Sequence, residues 1–386
     1  MKIVHILTRL LKAGSEENTL STCKAQIAAG HEVYLVHGQD FDRSYYDNPI
    51  SGLRLVGIKE FIHPISVASD FKAYRALTRF LESLHPDVVH THQSKAGIVG
   101  RFAAHSAKVP LVIHGVHIVP FANVGTAQRL LFTLAEKAAA KITHAFINVS
   151  HGTRSLYLDA GIGDASRHHV VHSGFDLERF RNASIPDDWH QMLRLEPGAA
   201  KPPVVLMLAA LEPRKRHCEF IEAFASLVRE QPDIRLVLAG EGPHRQQVQE
   251  TIEKFGLDQN VLLLGYRNDP EKLIALADLC VLTSTREGLP RVIMQYIAGG
   301  KPCITTHLPG VEEVVSHSFN GLIVPPDGLA ESVTSIAELL KNKERLLALC
   351  DGARSTDLSS WEARTMCRRI DDIYLSYLSQ VTPHAA

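Results

Sequence analysis

No stretch of the chain approaches the roughly 20 consecutive apolar residues that a membrane-spanning helix needs, and no excess of one charge is present. Forty-one Lys and Arg stand against 42 Asp and Glu, for a net charge of −1, so no basic surplus argues for nucleic acid. Cysteine is sparse and scattered: Cys23, Cys218, Cys280, Cys303, Cys350 and Cys367 offer no close pair and no metal-ligand spacing. They read as buried, reduced thiols of a cytosolic protein. A secretory leader is not expected, because the apolar run in Met1-Lys-Ile-Val-His-Ile-Leu7 is short and interrupted by His5. A dinucleotide fingerprint is lacking too. The loop Thr8-Arg-Leu-Leu-Lys-Ala-Gly-Ser15 holds only Gly14, and no acidic residue ends the second strand, which disfavours a nicotinamide-dependent dehydrogenase. Asp40-Phe-Asp42 spells D-x-D, but in a polar loop far from the other candidate residues, so no metal site is expected.

What is present is alternation. In the first half, strand candidates 3–7, 33–37, 53–56, 88–90, 111–114 and 145–149 are separated by helical patterns near 16–29, 72–85, 97–107, 127–140 and 151–160. The second half repeats this, with strands at 204–208, 235–239, 261–264, 279–282, 303–305 and 322–324 and helices between and after them. Such alternation predicts parallel strands with right-handed crossovers, hence two doubly wound α/β domains. The 386 residues suit two domains of ordinary size. Phe180 to Pro203 is Pro-rich and aperiodic, so the expected division is 1–180, a linker at 181–202, and 203–360, followed by a terminal helix in 361–386. A two-substrate site is expected where two such sheets face each other.

The most informative stretch is Thr283-Ser-Thr-Arg-Glu-Gly-Leu-Pro-Arg-Val-Ile-Met-Gln295. A buried strand ends in hydroxyl residues, and a carboxylate, a glycine and a proline then lead into a helix. Gly288 lets the backbone approach a ligand, Pro290 suits a first helical turn, and the free N–H groups there favour a phosphate. Glu287 is placed to accept hydrogen bonds from sugar hydroxyls, and Gln295 follows about two turns along the same face. A solvated Glu and a satisfied Gln are the plain alternatives for either residue taken alone.

Glu287-Gly-Leu-Pro…Gln295, with Ala298-Gly-Gly-Lys-Pro302, Leu308-Pro-Gly-Val-Glu-Glu313 and Asn320-Gly-Leu-Ile-Val-Pro-Pro-Asp327, resembles the C-terminal half of a family 4 (group 1) retaining glycosyltransferase with the GT-B fold. That family carries two glutamates separated by seven residues, and here Gln295 replaces the second. An amide still offers an acceptor and two donors to ribose hydroxyls. The resemblance implies an N-terminal Rossmann-like domain for the acceptor and a C-terminal one for a UDP- or GDP-linked sugar, with the last helix packing back on the first domain. It also implies a metal-independent, retaining transfer without a cofactor.

The resemblance assigns further positions. Glu212-Pro-Arg-Lys-Arg216 matches the place of an Arg and a Lys that hold the nucleotide diphosphate, with Ala209-Ala210 where many members have Gly-Arg. Two cations in a dry cleft, here Arg214 and Lys215, would stabilise the leaving diphosphate by about 3–4 kcal/mol each. Thr283 and Ser284 would reach the phosphates, Gly288, Leu289 and Pro290 would line the donor, and Glu241, Tyr266 and Arg267 would sit near the base. Gly14 would let the backbone approach the substrates. His114, after a buried strand and before Gly115, is expected beside the transferred sugar with His117 second, while His92, Ser94 and Lys95 line the acceptor side. The expected role is cell-envelope polysaccharide or lipopolysaccharide synthesis, in the cytoplasm or at the inner face of the membrane. The basic amphipathic stretch Ala127 to Lys141 suits anionic lipid, although a core-facing helix with a solvated basic side is the plainer expectation. A sugar-nucleotide epimerase and a catalytically silent sugar-nucleotide-binding protein remain as alternatives.

Overall fold

The computed structural model describes residues 1–12 and 14–381. The chain divides into two compact units: Met1–Phe175 together with the segment from Ser359 onward, and Asp176–Leu358. The expected boundary at 180 therefore moves to 175, and the expected linker is part of the second unit. Its apolar residues explain why, since Phe180 and Leu193 are buried, and Arg179 pairs with Glu271 at 2.7 Å.

The strands of the first unit are β1 (Lys2–Ile6), β2 (Glu32–His37), β3 (Leu53–Gly57), β4 (Val88–His92), β5 (Leu111–Val116), β6 (Ala145–Asn148) and β7 (His168–Val170). They form one parallel sheet in the order β3-β2-β1-β4-β5-β6-β7. Its helices are α1 (Gly14–Ala28), α2 (Ser44–Asp47), α3 (Val67–Leu84), α4 (Ser94–Ser106), α5 (Thr126–Ala140) and α6 (His151–Asp159). The seventh strand is absent from the sequence expectation because its three residues, His168-His-Val170, carry no apolar alternation.

The second unit holds α7 (Leu177–Arg181), α8 (Trp189–Met192), β8 (Val204–Leu208), α9 (His217–Glu230), β9 (Arg235–Ala239), α10 (Arg245–Lys254), β10 (Val261–Gly265), α11 (Pro270–Leu276) and β11 (Leu279–Leu282). It continues with α12 (Arg291–Ala298), β12 (Cys303–Thr306), β13 (Gly321–Val324), α13 (Leu329–Lys341) and α14 (Lys343–Ser355). Its six strands run parallel in the order β10-β9-β8-β11-β12-β13. The last helix, α15 (Ala363–Val381), returns to the first unit. Met366, Ile370 and Tyr374 join Ile3, Val88, Leu111 and Ile113 in one core.

Apart from the edge strand β3, none of whose residues is fully buried, the sheets are covered on two faces, which is why their strands read as short continuous apolar runs rather than as alternating ones. Both also reverse winding direction next to their first strand, between β1 and β4 and between β8 and β11. In open parallel sheets, ligands bind beyond the strand carboxyl ends at such a reversal. Two loop pairs therefore matter most: those after β1 and β4, and those after β8 and β11.

Candidate active site

In the second unit, the loop after β8 makes a single 3-10 turn, Pro213–Lys215, before α9. Pro213 opens that turn and Arg216 closes it in a left-handed conformation, φ 59°. The loop after β11 is sewn to this turn by backbone contacts. Thr285 N donates to Arg214 O at 2.8 Å, and Thr283 Oγ1 donates to Lys215 O at 2.9 Å. Thr283 thus acts as a strut beneath the loop.

These contacts bring four charged side chains together. Arg214 Nη1 donates to Glu287 Oε1 at 2.5 Å, Lys215 Nζ donates to the same oxygen, and Arg214 Nε donates to Glu212 Oε2 at 2.7 Å. Arg214 also donates to Arg286 O at 3.0 Å. Glu287 and Lys215 are 11% and 9% exposed and Arg214 is 28% exposed, so the cluster reaches solvent chiefly through the guanidinium. Burial alone would raise the Glu287 pKa. Lys215 and Arg214, helped by the Ser284 hydroxyl, outweigh it and hold the carboxyl below its ordinary value. Burial likewise opposes charge on Arg214, but Glu287 and Glu212 raise its pKa. The site is therefore a fixed array of ions in a shielded setting, where each interaction is stronger than in water.

The helix after this loop begins one residue later than a first-turn proline would put it. Pro290 is the N-cap, in extended conformation at ψ 117°, and Arg291 begins α12. Gly288, Leu289 and Pro290 are buried, while Gln295 is half-buried on α12. Farther along the same sheet edge, Glu241 follows β9 and pairs with Arg245 at 2.9 Å. Arg267 follows β10 and is clamped bidentately by Asp269 at 2.8 and 2.7 Å. Tyr266 exposes nearly half of its surface. A side chain at Gly265 (φ 72°) would come within 2.7 Å of Glu241 Oε1, so a glycine there lets the two loops lie side by side.

Sequence reasoning passed over two residues of this array. Glu212 is the second carboxylate on Arg214. His217, the first residue of α9, is buried with neither ring nitrogen hydrogen-bonded. Burial, then Lys215, pushes its pKa down to about 4. A histidine two residues after the basic pair was the available signal.

In the first unit, Gln93 joins the two loops at the β1/β4 reversal. It sits at the N-cap of α4 with φ 62°, and its Oε1 accepts from Thr8 N and Arg9 N at 2.9 and 3.3 Å. Ala96 N donates to Thr8 Oγ1 at 3.0 Å. Gly14 opens α1 on the same loop, and Ser94 opens α4. Lys95, expected to line the acceptor, is instead anchored to Asp70 at 2.6 Å and to Pro64 O.

His114 points inward. Strand alternation on β5 turns it toward α4, where a Cβ on Gly97 would fall 2.5 Å from its ring, and Thr91 Oγ1 of neighbouring β4 lies 3.0 Å from its Nδ1. Burial, and then Arg101, keeps it neutral. His117 is the partly exposed histidine of this segment, and its Nε2 lies 2.9 Å from Nδ1 of buried His92. Where the sequence reading saw no metal site, the fold brings His5, His90 and His92 together. Residues 85 positions apart share no readable spacing, so the grouping appears only once β1 and β4 pair. Asp42, by contrast, caps Ser44 N and pairs with Lys12 at 3.4 Å.

The helix expected to face the core shows an apolar outer face. On α5, Leu130, Leu131 and Leu134 are each more than half exposed, and Arg129, Lys137 and Lys141 are exposed with them. Glu136 holds the inner side of the same helix by a 2.7 Å ion pair with Arg101. Among the described residues, no helix is long and apolar enough to cross a membrane.

Two doubly wound sheets, one with a cationic pair and a carboxylate at its winding reversal, define the class of GT-B glycosyltransferases. Residues 13–179 match the model of Glycosyltransferase Family 4, and residues 194–356 match that of Glycosyl transferases group 1. A Bacillus subtilis (strain 168) protein named for glycosyltransferase activity, EpsD, is 31% identical over 80% of this chain and 81% of its own. The UDP-Gal:α-D-GlcNAc-diphosphoundecaprenol α-1,3-galactosyltransferase of Escherichia coli is 26% identical over 97% of each chain. Among solved structures, Anabaena HepE in complex with UDP and glucose superposes with a TM-score of 0.82 at 20% identity, over 97% of this chain and 100% of that one. The chain belongs to the group 1, family 4 glycosyltransferases and is a glycosyltransferase.

Proposed function

We propose that the protein transfers a sugar, with retention and without a metal at the diphosphate, from a UDP-sugar to a saccharide carried on a lipid diphosphate. The observation that carries the reading is the Arg214–Glu287–Lys215 cluster at the winding reversal of the second sheet. A nucleoside diphosphate would compete with Glu287 for both cations, and the displaced carboxylate is then placed to accept from sugar hydroxyls. As the C1–O bond breaks, its electron pair goes to the β-phosphate oxygen, where Arg214 and Lys215 stabilise the charge. The acceptor hydroxyl attacks C1 from the same face and passes its proton to that departing oxygen. Gln295 would hold the ribose. In the first unit, the partly exposed His117, and not the buried His114, would take the place beside the transferred sugar and its acceptor.

Support for the donor comes from HepE, which was solved with UDP, and from the Escherichia coli relative, which uses UDP-Gal. For the acceptor, both that relative and a Campylobacter jejuni α-1,3-N-acetylgalactosaminyltransferase are named for diphospho-undecaprenol substrates. Their α-linked products are what retention from an α-linked nucleotide sugar gives. The leucines and basic residues of α5 suit contact with an anionic membrane surface, where such an acceptor resides. Cell-envelope polysaccharide synthesis at the cytoplasmic face of the membrane is the corresponding role.

The test is transfer from a panel of UDP- and GDP-sugars to a synthetic GlcNAc-diphospholipid, comparing wild type with Glu287→Ala. Transfer that depends on Glu287 and proceeds in excess chelator is expected. Binding of nucleotide sugar with no turnover on any acceptor would favour a silent binding protein instead.

A further inference from the structure

A different group of residues, in the first unit, has the make-up of a metal site. β1 and β4 are neighbours, and their register sets His5 directly beside His90. Two residues on, His92 falls on the same face of β4 as His90, since side chains alternate along a strand. All three imidazoles are buried, and one ring nitrogen from each lies within 4.8 Å of the others.

A sheet interior normally takes Val or Ile at such positions, so three imidazoles there call for a polar partner. Each ring is held from behind through its other nitrogen. His5 Nε2 lies 2.9 Å from Gln26 Oε1. Gln26 Nε2 donates to Asp371 Oδ1 at 3.3 Å, which fixes the amide so that its oxygen faces His5 and accepts the Nε2–H. That leaves His5 Nδ1 as a lone pair, 2.9 Å from His92 Nε2. His90 Nδ1 lies 2.6 Å from the Tyr374 hydroxyl, and its Nε2 is buried without a hydrogen-bond partner. His92 Nδ1 is in turn held by His117 Nε2 at 2.9 Å.

A ring whose outer nitrogen is fixed by a hydrogen bond while the inner one points into a shared space is the usual arrangement of metal-bound histidine. A cavity of about 10 Å³, bordered by His90, His92, Gly115 and His117, adjoins the group. That is about enough for a single water as a fourth ligand. A Cβ on Gly115 would come within 2.9–3.1 Å of ring nitrogens of His92, His117 and His90, so the space exists only because residue 115 has no side chain.

We propose that His5, His90 and His92 bind one divalent transition-metal ion, zinc by the chemistry of the donor set, as a structural centre joining β1 and β4. The donors are neutral imidazoles without a carboxylate, a set that suits zinc, copper or nickel and not magnesium or calcium. Zinc–nitrogen bonds of about 2.0–2.1 Å would draw together three donors that already lie within 4.8 Å of one another. Through Gln26 on α1 and Tyr374 on α15, the ion also ties both covering helices to the strands. It takes no part in holding the diphosphate, whose cations belong to the second unit, so the proposal stands or falls independently of the transfer reaction.

The experiment uses the full chain, stripped with chelator and then dialysed against Zn²⁺ or Co²⁺. Mass-spectrometric metal analysis should find one equivalent retained per chain, with a raised melting temperature, and neither effect should appear with Mg²⁺. The Co²⁺ form should show the intense visible bands of a tetrahedral nitrogen-rich site. His5→Gln and His90→Gln should abolish retention, and His168→Gln, at a buried histidine elsewhere in the unit, should not. Equal retention by wild type and His90→Gln, or a weak octahedral Co²⁺ spectrum, overturns the proposal and leaves a hydrogen-bonded chain from Gln26 through His5 and His92 to His117. Should the variants fail to fold, the wild-type Co²⁺ spectrum decides alone.

Discussion

Arg214 and Glu287, 73 residues apart in sequence, meet at 2.5 Å, and Lys215 shares the same carboxylate oxygen. The contact depends on the β8 and β11 strands being neighbours and on Thr283 and Thr285 stitching their loops together. One carboxylate oxygen thus holds two cations side by side.

Removing that carboxylate while keeping its shape tests its part in transfer. Glu287→Gln is expected to lower kcat by about 10²–10³-fold, the range for loss of one preorganised electrostatic group. UDP binding by calorimetry should hold or tighten, because both cations are released from their internal partner. Unchanged kcat would remove Glu287 from the mechanism.

Lys215→Ala and Arg214→Ala should do the opposite to binding. UDP at about a hundred times the wild-type Kd should stabilise the wild type by about 2.7 kcal/mol, and each variant should lose most of that shift at the same concentration. A thermal melt with and without UDP reads it directly, and full retention of the shift would place the diphosphate elsewhere.

Acid should weaken the fold by two routes. Glu287 has a folded pKa below its ordinary 4.5, so its contribution is present above 4.5 and is lost as pH falls through the lower folded value. His168 and His217 are lowered from 6.5 to about 4, chiefly by burial. The unfolded chain takes up their protons first, so stability should decline as pH drops from 6.5 toward 4. Urea midpoints across that window should fall steadily, and His168→Gln should flatten the slope. A flat profile would contradict the burial of these rings.

The Arg101–Glu136 pair is almost fully buried at 2.7 Å, with Arg101 Nε also donating to Gly97 O at 2.6 Å. Glu136→Ala should cost about 3–5 kcal/mol by leaving a buried guanidinium uncompensated, whereas replacing both residues with apolar ones of similar volume should be near neutral. Chemical denaturation of the two variants separates these outcomes.

Leu130, Leu131 and Leu134 stand outward on α5. Replacing all three with Ser should reduce sedimentation with anionic vesicles and transfer to a lipid-embedded acceptor, while transfer to a short-chain soluble acceptor stays the same. Equal loss on both acceptors would assign the leucines a folding role.

The sheets were legible because each strand is a short apolar run at a regular interval, and boundaries shifted by only a few residues. Glu287 stood out because it closes a strand–loop–helix unit, while Arg214 and Lys215 were singled out through the family resemblance; the structure brings the three together. His114 was misleading in orientation: the sequence shows which strand it ends but not which face it takes, and Thr91 and Gly97 decide that. Lys95 gave no sign of its tie to Asp70, nor His5 of its neighbours on β4, since these contacts join distant segments. The α5 leucines follow a helical period that reads the same whether the stripe is covered or bare, and only packing against α4 showed which side was inward.

Because Met366, Ile370 and Tyr374 complete the core that begins at Ile3, the first unit to be synthesised is the last to be finished. Until α15 docks, β1, β4 and β5 lack part of their cover, whereas Asp176–Leu358 draws its contacts from one continuous segment. Truncation behind Leu358 should therefore leave the second unit intact while stripping the cover from the core of the first.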